Sequence, residues 1–460
     1  MQISYYKKGL VLMLAVMFIS ISAFPTTAVN KLEKVTLSSG GGKTFYVGGT
    51  GPGNYSKIQD AIDDASDGNL FVQDTVFVFG YSSPYHENVV VDKTINIWGE
   101  DEAFPVIDGS GSDDVIVRIK DSYCSIGRFK IIGDGSKNNM IGIKIDSSNC
   151  FVGLNKIMDV EQGIYISSSS IDNYLSSNII SDVKNGIVTN YSDQNGVVGN
   201  YISSCSLYGI YICGSYDNYV FQNNHLAYNV INNNNIGICI ESSNGNNVFA
   251  SSIFNNSGGL EFCCESDDNN IYCNNFENNH NWNARDECNN HWNNSKKGNY
   301  WHDYNGTDAN GDGIGDTPYL IPNGDNIDSY PLMKPWDNHA PSPPIITGPT
   351  NVRVRVKYGY KFKSTDIDGD DLRYIINWGD GEIDVTPLVP SGVEVTVNHT
   401  YYFSGTKIIS AFAADEYYWG GALGELKVKV SKSKLSTNNL FLRFLERYPL
   451  IQYILQRFGL

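Results

Sequence analysis

The residues best suited to chemistry are acidic and closely spaced. Asp308, Asn310, Asp312 and Asp316 place oxygen side chains at positions 1, 3, 5 and 9 of one stretch. Gly313 sits at position 6, and Ile314 offers its carbonyl at position 7. Ca²⁺ needs six to eight converging oxygens, and alternate residues in a tight glycine turn supply them, so this spacing is that of a calcium loop. Tyr319 stands at position 12, where a bidentate Glu belongs, which leaves an acidic glycine-rich turn without metal as the alternative. Asp366, Asp368 and Asp370 form a second candidate calcium set, with solvated carboxylates as its alternative. His280, His291 and His302 are each 11 residues apart and lie beside Trp282, Trp292 and Trp301, rings of a kind that stack on sugars.

These residues sit on or beside a repeat. A phrase of Gly, Ile or Leu, an alternating pair and small polar residues opens at Gly142, Gly163, Gly186, Gly209, Gly237 and Gly259, in steps of 21, 23, 23, 28 and 22. Asn149, Asn173, Asn195, Asn218, Asn247 and Asn270 keep time with it. Alternating apolar positions predict a short strand with one buried face, and a period near 22 holds three strands and three turns. The expectation is a parallel β-helix whose coils share one core. The glycine is read as a turn residue needing positive φ, and Asn232 to Asn235 as a loop that accommodates the long step.

The outward ladder two residues after each Gly reads Lys144, Tyr165, Val188, Tyr211, Cys239, Glu261. Four residues after, it reads Asp146, Ser167, Asn190, Cys213, Glu241, Cys263. Glu241 and Glu261 then fall diagonally on adjacent coils, at about 8 Å between Cβ atoms, a spacing open to an inverting glycosidase pair. Tyr165 and Tyr211 share their ladder and suit a stacked sugar.

The 460 residues carry 50 acidic and 33 basic side chains, a net charge of −17. That charge argues against nucleic acid and anionic membranes as partners. Residues 1–28 have the pattern of a signal peptide, with Lys7-Lys8, an apolar run from Leu10 to Ile19 and a small-residue site at Thr26 to Ala28. A secreted or cell-surface protein is expected, and six N-glycosylation sequons, among them Asn54 and Asn398, weakly agree. The nine cysteines lie between Cys124 and Cys288, an odd number that rules out complete internal pairing. They read as small core or ladder residues, with some disulfides open, and a metal site at them is not expected.

Lys43 to Val47 reads as a first strand, and Ile58, Ala61, Ile62 and Ala65 lie on one face of a short helix, a lid for the open end of the coil. The series YVGG, YSKIQDAIDDASDG, DTVFV and YHENVVVDKTINIWGE resembles the N-terminal coil of pectate-lyase-like right-handed β-helices. It is most similar to the NosD-like, periplasmic copper-binding type. Gly298 to Tyr304, with DANGDGIGDTPYLIP and SYPLMKP, resembles the terminal segment of those proteins. The resemblance implies fold more than activity, because the superfamily holds lyases, hydrolases, esterases and non-catalytic surface proteins. It also brings in copper, although the sequence lacks tight His or Met clusters.

Residues 43–335 are therefore expected as the β-helix with its cap and calcium-like segment, and 336–350 as a Pro-rich linker. In 351–431, Asn377-Trp378-Gly379-Asp380-Gly381 with His399, Thr400, Tyr401 and Gly405 resembles the PKD domain, an immunoglobulin-type sandwich. The fold class is all-β. Residues 439–460 form an apolar tail with Arg443, Arg447 and Arg457, broken at Pro449 and too short to span a membrane. The tail suits docking on a membrane surface or a protein, or folding back on the sandwich. The leading expectation is a non-catalytic surface protein with Ca²⁺ as its cofactor, binding polysaccharide or cell-envelope components, of a kind resembling archaeal surface proteins. A polysaccharide hydrolase or lyase is the alternative, and a NosD-like copper accessory role the weaker one.

Overall fold

A computed structural model describes residues 42–432 except 70–71, 102, 112–113, 136–138, 215–224 and 418–419. The expected leader and the 439–460 tail lie outside the described residues. The chain divides into two compact units, Met1–Trp336 and Asp337–Leu460.

The first unit is a parallel β-helix. Each coil gives one short strand to each of three parallel sheets, which hold ten, nine and nine strands among the described residues. One coil runs Phe151–Gly153, Lys156–Met158 and Gln162–Ile166, and the next begins at Tyr174–Ser176. Alternation turns Val152, Ile157, Ile164 and Ile166 fully inward. There Leu175, Ile180 and Ile187 of the next coil stack on the first three in register. At the N-terminal end, α1 (Ile58–Asp64) lays Ile58, Ala61 and Ile62 on this core. Its ends are closed from outside the helix. Glu87 accepts from the N–H groups of Ile58 (2.8 Å) and Gln59 (3.0 Å), and Lys93 donates to the carbonyls of Ile62 (3.0 Å) and Ala65 (2.8 Å), as the helix dipole favours.

Two expectations about the repeat are corrected. The recurring glycines are not turn residues: Gly142, Gly163, Gly186, Gly209, Gly237 and Gly259 lie inside strands of the third sheet, and none has positive φ. A Cβ on Gly163 would stand 2.5 Å from the Gly186 carbonyl oxygen of the next coil, so close backbone approach demands glycine. The left-handed corner positions fall instead to Leu154, Ser177, Gly199, Tyr228, Ala250 and Cys273, each followed by a buried Asn or Ser. The extra residues of the long step also enter elsewhere. Asn232 ends a strand, Val230–Asn232, and the insertion falls between Cys213 and His225.

Buried asparagines tie the corners together. Asn155, Asn178, Asn200, Asn229, Ser251, Asn274 and Asn299 form one column along the axis. Asn178 shows the pattern: its Oδ1 accepts the Asn155 N–H at 3.1 Å, and its Nδ2 donates to the Val152 carbonyl at 2.9 Å. The side chain thus acts as an extra peptide group where the corner interrupts the strand ladder. A second column holds Asn173 and Asn195, then Asn246 and Asn269, so the buried partners are Asn246 and Asn269 rather than Asn247 and Asn270. A third runs through Asn234, Asn256 and Asn279.

Each column ends on an aspartate. Asp328 accepts the Asn299 N–H (2.7 Å), Trp301 Nε1–H (2.9 Å) and the Tyr330 N–H (3.0 Å). Asp286 accepts from Asn290 Nδ2 (3.0 Å) and Trp292 Nε1 (2.8 Å), and Asp303 from Asn283 (2.9 Å). A last rung that must receive several donors favours the acceptor-only carboxylate over an amide.

The second unit is a two-sheet β-sandwich. Ile345–Thr347, Lys357–Lys363 and Val395–Thr400 form one sheet, and five strands from Asn351–Arg353 to Gly424–Ser431 form the other. Trp378 is fully buried between them and stacks on His399 at 4.4 Å, while His399 Nε2 meets Asp380 at 2.8 Å. The Asn377 to Gly381 motif thus positions both a core ring and the carboxylate that meets buried His399.

Replacing Asn200 by Leu strands the Asn178 N–H and the Leu175 carbonyl and is expected to lower β-helix stability by about 3 kcal/mol in denaturant unfolding. Burial pushes the Asp328 carboxyl up to about 6, against the hydrogen bonds that lower it. Between an unfolded value near 4 and about 6, the folded protein keeps a proton that the unfolded chain has released. Stability should therefore fall by roughly 2–3 kcal/mol as pH rises through that window and then level off. Asp328→Asn should flatten this component when unfolding is followed from pH 4 to 7.

Candidate functional site

The predicted site residues separate into those the fold gathers and those it hides. Trp292 and Trp301 are corrected: they are 0% and 1% exposed. Both rings close the C-terminal end of the core, with Trp301 stacked between Phe276 (4.5 Å) and Tyr319 (4.2 Å), so no sugar reaches them. Their indole N–H groups are the donors to Asp286 and Asp328. Trp282 is half-buried on the outer face of the third sheet, with the Arg285 guanidinium 4.1 Å over its ring. His280, His291 and His302 are exposed and do not converge with other donors.

In the 308–316 loop the carboxylates face their own backbone. Asp308 accepts the N–H groups of Gly311 (2.7 Å), Asp312 (3.2 Å) and Gly313 (2.9 Å), Asp312 accepts that of Ile314, and Asp316 that of Ala309. Asn310 bridges to Asp312 at 2.9 Å. Among the described residues, only Asp366, Asp368 and Asp370 bring three ligand atoms within 4.8 Å of one another.

The outer face of the third sheet carries the richest chemistry. Register places Lys144, Tyr165, Val188, Tyr211, Cys239, Glu261 and Arg285 in one column. Asn190, Cys213, Glu241 and Cys263 form the next column. Glu241 and Glu261 therefore sit on adjacent coils in neighbouring columns. The Tyr211 hydroxyl donates to Glu241, and the Tyr208 ring stacks on Tyr211 at 4.8 Å. Asn190 Nδ2 donates to the Tyr165 hydroxyl at 2.9 Å.

Sulfur is concentrated here. Cys239 points outward yet is only 2% exposed, lying beside Tyr208, Glu261 and Glu241. Cys263 stands diagonally from it on the next coil, opposite Glu241, and the exposed Cys264 follows Cys263 in the chain. Burial first, then the neighbouring acids and thiol, push Cys239 well above the usual thiol range. Burial and the Cys264 contact raise Cys263 to about 12. Tyr208 rises to about 12 and Tyr211 rises too, both chiefly by burial. The thiols are thus protonated at neutral pH, in a setting that repels a further negative charge and attracts a cation. The sequence placed Cys213 and Cys263 at one offset, but that Cys239 and Tyr208 complete the patch required the register.

Comparison with known proteins bears on this face. The pattern of a family described as periplasmic copper-binding protein (NosD) matches residues 68–230 and 221–306, which includes every coil carrying the sulfur patch. No curated protein matches the chain. Among solved structures, the chain is similar to the PKD domain of an M14-like peptidase from a Thermoplasmatales archaeon. The identity is 37%, over 21% of this chain and 100% of that one, with a TM-score of 0.21.

The raised thiols make a reactivity prediction. At pH 8, iodoacetamide should label Cys264 first, and Cys263 and Cys239 at least tenfold more slowly than a free cysteine, as mapped by peptide mass spectrometry. Labelling of Cys263 should accelerate as pH rises toward 10.

Proposed function

The chain belongs to the NosD family, and on that premise we propose that it is an extracytoplasmic, non-enzymatic scaffold that binds copper(I) through the thiols of the third sheet. The observation that carries the reading is the register, which sets Cys239 and Cys263 on adjacent coils at diagonal positions, with Glu241 and Glu261 at the other two. Soft sulfur selects Cu(I), whereas structural zinc takes four ligands. Sulfur is offered here in pairs, and two-coordination is a state Cu(I) accepts. The family is described as periplasmic, and no helix among the described residues is long and apolar enough to cross a membrane.

In this reading Cys239 and Cys263 would hold the ion, and the exposed Cys264 beside Cys263 would offer a further thiol to it. Bound copper supplies a soft acceptor for sulfur. Both thiols would lose their protons, so affinity should fall as pH is lowered. Glu241 and Glu261 alone oppose that loss but attract the cation, whose charge would then favour the thiolates, and the Tyr208 and Tyr211 rings lie beside them. Glu241 is already engaged by Tyr211, which favours a binding role for these carboxylates over a glycosidase pair.

A second reading, polysaccharide binding, is favoured by the half-buried Tyr165, Tyr208 and Tyr211 rings beside Asn190 on the same face. One set of measurements separates the two. In anaerobic competition with a chromophoric Cu(I) chelator, the wild type should bind one Cu(I). Cys239→Ser and Cys263→Ser should each weaken it at least 30-fold, and His291→Ala should leave it unchanged. Unaltered Cu(I) affinity in both serine variants, with retention on a polysaccharide lost in Tyr211→Ala, would establish the second reading in place of the first.

A further inference from the structure

Two buried thiols stand at the head of an asparagine column. The second column places Asn173, Asn195, Asn246 and Asn269 just before strands of the first sheet. In the two coils ahead of Asn173 the same position holds Cys124 and Cys150, next to Ser125–Gly127 and Phe151–Gly153. These strands pair Ser125 with Phe151, and the Phe151 N–H donates to the Cys124 carbonyl at 2.8 Å, so the two cysteines stand one above the other. Asn173 Oδ1 accepts the Cys150 N–H at 3.0 Å, which carries the column this far. A thiol is a weak donor and a weak acceptor, so Cys150 cannot clamp the coil before it as an amide does.

The two thiols converge. Cys124 and Cys150 are 2% and 1% exposed, and both are free in the structure. The Asp121 carbonyl accepts from Cys124 Sγ at 3.1 Å and from Cys150 Sγ at 3.4 Å, so both side chains turn to one point. Each is the leading influence on the other's proton through a hydrogen bond between the sulfurs, Cys150 raising the Cys124 thiol and Cys124 lowering the Cys150 thiol. Neighbouring parallel strands lie about 4.8 Å apart, inside the roughly 4.4–6.8 Å between Cα atoms that a disulfide spans. The sulfur patch of the third sheet differs, since register there sets Cys239 opposite Glu261 and Cys263 opposite Glu241.

We propose that Cys124 and Cys150 are an oxidation site, closing to a disulfide that staples their two coils where the asparagine column stops. The oxidant is a small-molecule or protein disulfide, of the kind that oxidising compartments supply. One cysteine thiolate attacks that disulfide, forms a mixed disulfide and expels one thiolate. The other cysteine thiolate then attacks the bonded cysteine sulfur and expels the second. Two protein thiols thus give up two electrons and two protons, and the oxidant disulfide becomes two thiols. Because the native sulfurs are buried, the exchange takes place while the coils are closing, and the finished bond is out of reach of reductant.

The test is refolding of the full reduced chain in mixed oxidised and reduced glutathione, then acid quenching, alkylation and tryptic peptide mapping. Cys124 falls in peptide 121–128 and Cys150 in peptide 145–156. The expected result is these two peptides linked, lighter than their sum by the two hydrogens lost, in a bond that reductant opens only with denaturant present. The oxidised β-helix should melt about 5 °C above the reduced one. Cys124→Ser should remove that difference, and Cys263→Ser should keep it. Both peptides recovered unlinked from folded protein, alkylated or carrying glutathione, would overturn the proposal. So would a melting difference that Cys124→Ser leaves unchanged.

Discussion

Everything in the first unit depends on stacking coils in register at corners where the strand ladder is broken. Strands of two to six residues are too short to hold register by backbone pairing alone. The buried asparagines supply what is missing, each binding an N–H and a carbonyl of the preceding coil. Such a column tolerates no slip, because moving one coil by a residue would bury several unpaired amides at once. The same constraint explains the strand glycines, whose backbones lie too close for a Cβ. It also explains the ends. Glu87 and Lys93 close the lid helix, and Asp286, Asp303 and Asp328 stop the columns with groups that only accept.

Rigid register gives the outer face its chemistry. Residues more than twenty apart in sequence become neighbours because the coil returns at fixed height. That is how Cys239 comes to stand opposite Glu261, and Tyr211 meets Glu241. The core sets distances and the exterior is free to vary, so a family can keep the scaffold while the face changes. In the β-helix, Asp286 and Asp328 enter the interior where indole, amide and backbone N–H groups receive them.

The sequence made the architecture legible because the repeat is written twice, in the glycine phrase and in the asparagine phrase. The ladders that predicted which residues follow Tyr211 and Glu241 hold in the register. Roles were harder to read. A glycine in a turn and a glycine under a neighbouring backbone look alike, and so do Asn246 and Asn247, one buried and the other half-exposed. Trp292 and Trp301 resembled binding rings because a polar segment surrounds them, yet that segment is the plug and the rings are its apolar core. The Asp308 to Asp316 spacing fits a calcium loop, whereas the geometry gathers carboxylates at Asp366 to Asp370. Spacing tells which oxygens are near, not whether the turn points them inward. The sulfur patch was least visible, since Cys239 is an alternating-position residue like many others until the Tyr208 ring covers it.

The proposed sulfur site for copper stands or falls with the register of the third sheet. X-ray absorption at the copper edge, on protein loaded anaerobically with one Cu(I), tests it most directly. The account predicts an edge typical of low-coordinate Cu(I) and a first shell of two sulfur scatterers. A first shell made only of nitrogen or oxygen atoms would contradict it, and would move the copper to the histidines or the carboxylates.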